Sequence, residues 1–368
     1  MLVSCNNEIL EGETDMTVPE NGYIFFNTDV DSRGVLIEDR LEANFGVMGY
    51  HYAGESNWNT AKALATPNVF DTYNQQVIWE NNLHKYTPQK PWIAGQKYSF
   101  FAYYPYGLDN LTPSLASHEG NPYVEYTLAS RSDATKLVDV MTSQVIDTDA
   151  SARTVDFVMK HRLTAVDVVA RNFNEPYDPN TNIQGDEKEV YVKITDMKIT
   201  FSNLLFDKVR IPLNTEDEPD LVYTAKSTTP AAEYTLLGGD ISIDNIAPAR
   251  GNESEFTPIT SSEQNTSMIV IPQQGPIDFN TEDKVIDVTE EDCHLNCRID
   301  FTYDYVDQNV NSLGLVENTS IFRELTVDKG LQSGRRYYIQ LTFTRGAITI
   351  GFIESQEWAD KRIDHEFE

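Results

Sequence analysis

Basic side chains are scarce. The 368-residue chain carries 28 Lys and Arg against 58 Asp and Glu, a formal charge of -30, which argues against nucleic acid or anionic membrane as a partner of the protein surface. The scarcity is sharpest at the start, where Arg33 and Arg40 are the only Lys or Arg residues between Met1 and Ala61. No run approaches the ~20 apolar residues that a membrane-crossing helix needs. Catalytic signatures are missing too: there is no G-x-S-x-G elbow, no H-E-x-x-H, no phosphate-binding Gly loop and no C-x-x-C pair. His51, His84, His118, His161, His294 and His365 are scattered singly. Asp and Glu are so numerous that a carboxylate pair for glycoside hydrolysis is neither excluded nor supported. The expectation is a protein that is not an enzyme, with no cofactor and no metal.

Cysteine is rare as well: Cys5, Cys293 and Cys297. On one strand the last two would stand with Cα atoms about 13 Å apart, too far for a disulfide, so pairing them requires a turn. With His294 they could meet a soft metal, but no second ligand pair stands at finger-like spacing. Structural thiols or a local clip are the better readings. The tryptophans Trp58, Trp79, Trp92 and Trp358 could form sugar-stacking platforms, yet three sit beside alternating runs, which favours core or rim packing.

Helical periodicity is also scarce, and what replaces it is alternation. "CRIDFTYDYVD" sets Cys297, Ile299, Phe301, Tyr303 and Tyr305 on one face and Arg298, Asp300, Thr302 and Asp304 on the other. "RRYYIQLTFTRGAITIGF" puts Tyr337, Ile339, Leu341 and Phe343 on one face, breaks at Arg345-Gly346, and resumes with Ile348, Ile350 and Phe352, the pattern of a hairpin. In "VYVKITDMKITF" the apolar parity switches, which predicts a bulge near Thr195-Asp196. Strands are also expected at "GYIFFNTDV", "FGVMGYHY", "QQVIWE", "KYSFFAYYPY", "TVDFVMK", "TAVDVVARNF" and "TSMIVIP". A short helical turn is expected near Arg131–Met141, and exposed loops at 174–189 and 213–220. Many short strands separated by turn signals point to sandwiches.

Length favours two domains, and one internal echo agrees. "PWIAGQKYSF" and "GLQSGRRYYI" align Trp92 with Leu331, Gly95 with Gly334, Lys97 with Arg336 and Tyr98 with Tyr337. Physically this is a turn with a Gly suited to positive φ, feeding a strand anchored by a Tyr. The division expected is a tether at 1–20, one β-sandwich at 21–160 and a second at 161–368.

The tether begins with "LVSC", the aliphatic, small, Cys order read by lipoprotein signal peptidase, and continues into the polar "NNEILEGETDMTVPEN". Acylation of Cys5 would anchor the protein in an outer membrane.

Taken in order, "LVSC", "GYIFFNTDVDSRG", "FGVMGYHYAG", "YSFFAYYPYG", "VDVM", "VDFVMKHRLTAVDVVARNF" and "GRRYYIQLTFTRGAITIGFIESQEW" resemble the fimbrillin family, the lipoprotein-derived subunits of type V pili. The resemblance covers nearly the whole chain. It implies two transthyretin-like β-sandwich domains in tandem and a surface-exposed fimbrium at the cell outer membrane. It also implies a trypsin-like protease that cuts after an Arg near the start, for which the bond between Arg33 and Gly34 is the candidate and Arg40 the rival site. Removing the first strand would open a groove that a neighbouring subunit's strand fills by β-augmentation. Donor candidates are Ile348, Ile350 and Phe352, or the segment after them. The implied partners are other fimbrial subunits, the processing protease, membrane lipid through Cys5, and a host glycan or protein. A glycan-binding lipoprotein of a polysaccharide-uptake system is the alternative.

Overall fold

The computed structural model describes residues 22–30, 41–62, 67–114, 122–128, 139–172, 191–202, 208–215, 221–225, 234–237, 243–246, 256–259, 268–272, 277–279, 286–288, 293–307, 309, 311–314, 316–327, 330–344 and 347–355. The first run of strands is β1 (Phe25–Val30), β2 (Phe45–Ala53), β3 (Gln75–Glu80), β4 (Leu83–Lys85), β5 (Gln96–Tyr104), β6 (Leu111–Pro113), β7 (Tyr123–Thr127), β8 (Met141–Thr148) and β9 (Thr154–His161). Seven of them form one sheet in the order β1-β9-β8-β5-β2-β3-β4. Its two edges, β1 and β4, come within 8 Å Cα to Cα, so the sheet curls around its own core. Phe26, Phe45, Val77, Trp92, Phe100 and Phe157 fill that core, and among the described residues its buried members lie between Ile24 and Met159.

β2 and β5 are buried on both faces. Phe45 and Val47 point into the curled sheet while Met48 and Tyr50 point into a second core; Phe100 and Ala102 are divided from Phe101 and Tyr103 in the same way. Two covered faces explain why "FGVMGY" and "FFAYY" read as nearly unbroken apolar runs. A single helical turn, α1 (Trp58–Ala61), is capped by Asn57, whose side chain accepts from Thr60 N at 2.9 Å, and it buries Trp58 in the second core.

The second run comprises β10 (Thr164–Asn172), β11 (Tyr191–Ser202), β12 (Lys208–Pro212), β13 (Val222–Ala225), β14 (Tyr234–Leu237), β15 (Ile243–Ile246), β16 (Thr257–Pro258), β17 (Met268–Val270), β18 (Ile277–Phe279), β19 (Ile286–Val288), β20 (Cys293–Val306), β21 (Glu317–Val327), β22 (Arg336–Thr344) and β23 (Ala347–Ser355). One sheet runs β16-β10-β22-β23, with β17 also on β10; another runs β14-β11-β20-β21, with β15 on β11. A third, β13-β12-β7-β6, joins late strands to early ones through pairs such as Val209↔Tyr126. The second core draws on all of these, from Met48 to Leu341.

The chain is all-β, as its alternation indicates. Cys297, Ile299, Phe301 and Tyr303 are buried along β20, and β22 and β23 form the expected hairpin on either side of Arg345-Gly346. The β11–β20 register shifts between Thr195 and Lys198, and Asp196 takes a φ of 56°, which is the bulge that explains the parity switch. Three local expectations need correction or fall away. The loop at 213–220 does not start exposed: Leu213 and Asn214 are buried, and Leu213 N donates to Pro122 O at 2.9 Å because β12 runs on into the junction with β7. Of the expected helical turn, residues 131–138 lie outside the described residues and Met141 opens β8; the loop at 174–189 lies outside them too.

Candidate functional site

The segment Gly22–Val30 alternates from Ile24 onward. Ile24, Phe26 and Thr28 are buried, Val30 packs partly against the same core, and Phe25 is 47% exposed. Period two puts every second side chain beneath the strand, so β1 covers the mouth of the curled sheet. Phe26 is the centre of this cover. Its ring lies 5.4 Å from Tyr86, 5.5 Å from Phe100, 5.6 Å from Phe157 and 6.2 Å from Phe70, centroid to centroid. Burial of a side chain of this size stabilises by about 1.5–3 kcal/mol.

Among the described residues the backbone of β1 has one ladder, parallel to β9, from Phe25↔Thr154 to Val30↔Met159. Its head is held separately. Ile24 N donates to Lys90 O at 2.9 Å, and Trp92 N donates to Gly22 O at 3.1 Å. The Tyr86 hydroxyl donates to Ile24 O at 3.0 Å while accepting from Lys90 N at 3.2 Å. Burial pushes the Tyr86 phenol up to about 12, with the Lys90 N–H bond working against that rise. One group here is unsatisfied: Thr28 is fully buried, and its hydroxyl has no hydrogen-bond partner among the described residues.

Such a strand is separable in a way that an interior strand is not. It occupies an edge and contributes one row of side chains to a core. Without it, β9 would present an unpaired edge beside an open apolar trough, a surface that templates strand addition.

Of the residues singled out in the sequence, Cys5, Arg33, Gly34 and Arg40 lie outside the described residues. In the sequence Arg33 stands three positions beyond Val30, the last residue of β1. Ile348, Ile350 and Phe352 lie on β23, opposite Phe343, Leu341 and Ile339 of β22. Ile348 and Ile350 pack partly against the second core, so β23 belongs to a different sheet from β1. Cys293 and Cys297 share β20 with no turn between them, which leaves Cys297 a free buried thiol pushed up to about 12 by its burial. Trp58 and Trp92 are core residues.

The internal echo is real in three dimensions. Tyr98 and Tyr337 are both buried; the hydroxyl of Tyr98 accepts from Ile93 N at 2.7 Å, and that of Tyr337 from Gln332 N at 3.0 Å. Gly95 and Gly334 take φ of 71° and 68°, a left-handed turn that a side chain would strain. Two features escaped the sequence. Tyr86, in "HKYTP", shows no alternation that would mark it as the residue gripping β1. Thr28 carries a faint signal, a polar residue on the apolar parity of its strand.

Comparison with known proteins bears on most of the chain. A sequence model described as fimbrillin-like matches residues 37–358. Among solved structures, a fimbrial protein of Bacteroides vulgatus is similar at 19% identity and a TM-score of 0.57, covering 91% of this chain and 99% of that one. A proposed cell adhesion protein of Bacteroides ovatus is similar at 16% identity and a TM-score of 0.49, covering 92% of this chain and 99% of that one. No curated protein matches.

Proposed function

The chain belongs to the fimbrillin-like family, and from that premise we propose that it is a fimbrial subunit activated by losing β1. The family places it among structural, non-enzymatic proteins of the cell surface. In the proposed cycle a trypsin-like protease cuts between Arg33 and Gly34, the segment that carries β1 leaves, and a strand of a neighbouring subunit adds beside β9. Uncut, the chain covers its own edge and remains a monomer. Cut, it polymerises.

The observation that carries this reading is β1 itself. Among the described residues it is an edge strand with one ladder, it seals an aromatic core through Phe26, and the sequence places Arg33 just after it. The donor strand is a segment of another subunit. In this chain Ile348, Ile350 and Phe352 supply alternation of the right kind, but β23 would have to leave β22 to use them, which favours the segment after it. Two transthyretin-like sandwiches divided at 160/161 fit the way the first core closes before residue 160, although β12 and β13 reach back across that division. Acylation at Cys5 would hold the subunit at the outer membrane before assembly, and a host glycan or protein is the adhesion ligand in this scheme. The glycan-uptake alternative has lost Trp58 and Trp92, as platforms, to the cores.

Limited trypsin digestion, N-terminal sequencing and electrophoresis without boiling test the proposal. A new N-terminus at Gly34 together with a ladder of oligomers is the expected result. A chain that is cut there and stays monomeric, or is cut only after Arg40, overturns it. Palmitate-analogue labelling, expected for wild type with a full leader and lost in Cys5→Ala, tests the anchor.

A further inference from the structure

Thr28 occupies the third inward place of the segment Gly22–Val30, after Ile24 and Phe26. It is the only buried hydroxyl without a hydrogen-bond partner among the described residues. Its register partner is Phe157, and the strand's inward row at this point belongs to an apolar core that holds Phe26, Phe157 and Met159. A hydroxyl removed from water into such surroundings without a partner is held at a cost that an aliphatic side chain of the same shape would not carry. The protein satisfies a comparable group elsewhere: Thr164, equally buried at the head of β10, donates to Gln332 O at 2.7 Å.

We propose that Thr28 is a built-in mismatch, and that the groove beneath β1 prefers a replacement strand from another subunit that runs parallel to β9 and carries an aliphatic residue at the Thr28 place. This rests on the strand-replacement reading and adds a direction to it. The ladder formed with β9 is the same for either occupant, and the Phe26 pocket of Tyr86, Phe100, Phe157 and Phe70 asks both for an aromatic ring two residues earlier. What differs is the third place. There the resident strand leaves a donor unsatisfied, and an incoming Val, Ile or Leu does not, so exchange runs toward the incoming strand with no other change in the contacts. A resident strand matched at all places would compete with its replacement on equal terms.

Two measurements test this. In the intact chain, Thr28→Val keeps the side-chain shape and removes the hydroxyl, and its thermal midpoint should rise by about 2–4 °C. In trypsin-cut protein, two peptides spanning Gly22–Val30, one with Thr and one with Val at position 28, should compete for the groove with the Val peptide about tenfold tighter. Displacement of the cut fragment, followed by native mass spectrometry, reads the second. An unchanged or lowered midpoint with equal peptide binding overturns the mismatch and leaves strand replacement standing. A cut protein that binds neither peptide overturns both.

Discussion

β1 and β10 open the two runs of strands, and each lies parallel to a strand much later in the chain, β9 for one and β22 for the other. From there they diverge. β10 has neighbours on both sides, β22 along its whole length and β17 and β16 in turn on the other, whereas among the described residues β1 pairs with β9 alone. Every residue from Thr164 to Ala170 is buried, including Asp167, whose carboxylate meets the Arg336 guanidinium at 2.9 Å across the parallel pair. β1 buries every second residue and no more. A strand with two ladders and two covered faces is part of the scaffold, while a strand with one ladder and one covered face is a fitted lid. The difference between them is the physical content of the proposal that one can be exchanged.

The largest effect expected separates the two strands outright. Val168 is fully buried at the centre of β10, opposite Ile339. Val168→Asp would place a carboxylate among the buried apolar residues of the second core, on the opposite face of β10 from Asp167, a change of the kind that exceeds the ordinary range for point substitutions. No folded protein should be recovered, as judged by circular dichroism and gel filtration. Cutting after β1, by contrast, should leave a folded product. A soluble, folded Val168→Asp protein would erase the distinction.

The next contrast lies within β1. Phe26→Ala removes the ring at the centre of the aromatic cluster and should cost roughly 3–5 kcal/mol in urea unfolding. Phe25→Ala, one residue earlier and facing out, should stay within about 0.5 kcal/mol. Similar costs for the two would mean that β1 does not sit as a one-faced lid.

How much of this was legible beforehand follows the same physical line. "TAVDVVA" reads as a buried strand because a run of small and branched apolar residues marks two covered faces, and "YIFFNTDV" reads as half-buried because it alternates. The bulge at Asp196 and the hairpin at Arg345-Gly346 were legible because parity and turn residues are local properties. Pairing was not. That β1 lies parallel to β9 rather than in a hairpin with β2, and that β12 crosses to β7, depend on which long-range ladders close the cores, and nothing within either segment encodes it. Asp167 interrupts an apolar run, and its partner Arg336, distant in sequence, is brought to it only by the β10–β22 pairing. At the site, the apolar parity of β1 was visible and its grip was not: Tyr86 holds Ile24 from a stretch without period.

A smaller effect tests whether the two runs share a turn design. Tyr98→Phe and Tyr337→Phe each remove a hydroxyl that accepts a backbone N–H, and each should cost about 1–3 kcal/mol. Tyr337 should cost more, because its hydroxyl also donates to Gly330 O at 3.1 Å. A neutral Tyr98→Phe beside a costly Tyr337→Phe would reduce the echo to a likeness of sequence.

The smallest expected effect concerns the head of β1 and appears only in alkali. Burial raises the Tyr86 phenol from its ordinary value of 10.0 to about 12. Below pH 10 the folded and unfolded chains both hold this proton, so its contribution to stability is complete there. Between pH 10 and about 12 the unfolded chain releases the proton while the folded chain keeps it, so unfolding gains and stability falls as pH rises. Other buried tyrosines, Tyr50 and Tyr103 among them, are raised by the same cause and add to the fall. Tyr86→Phe should therefore be less stable than wild type at neutral pH, having lost the bond to Ile24 O, and should lose less stability than wild type between pH 10 and 12. Urea midpoints taken across that window give both numbers. Because the bond held by this phenol lies at the head of β1 and not in the β9 ladder, trypsin-cut protein should release its first strand more readily in the Tyr86→Phe variant at pH 8, while the same substitution leaves β10 in place. Parallel pH curves for the two proteins would show that the phenol does not hold β1, and that the lid is kept by its side chains and its single ladder.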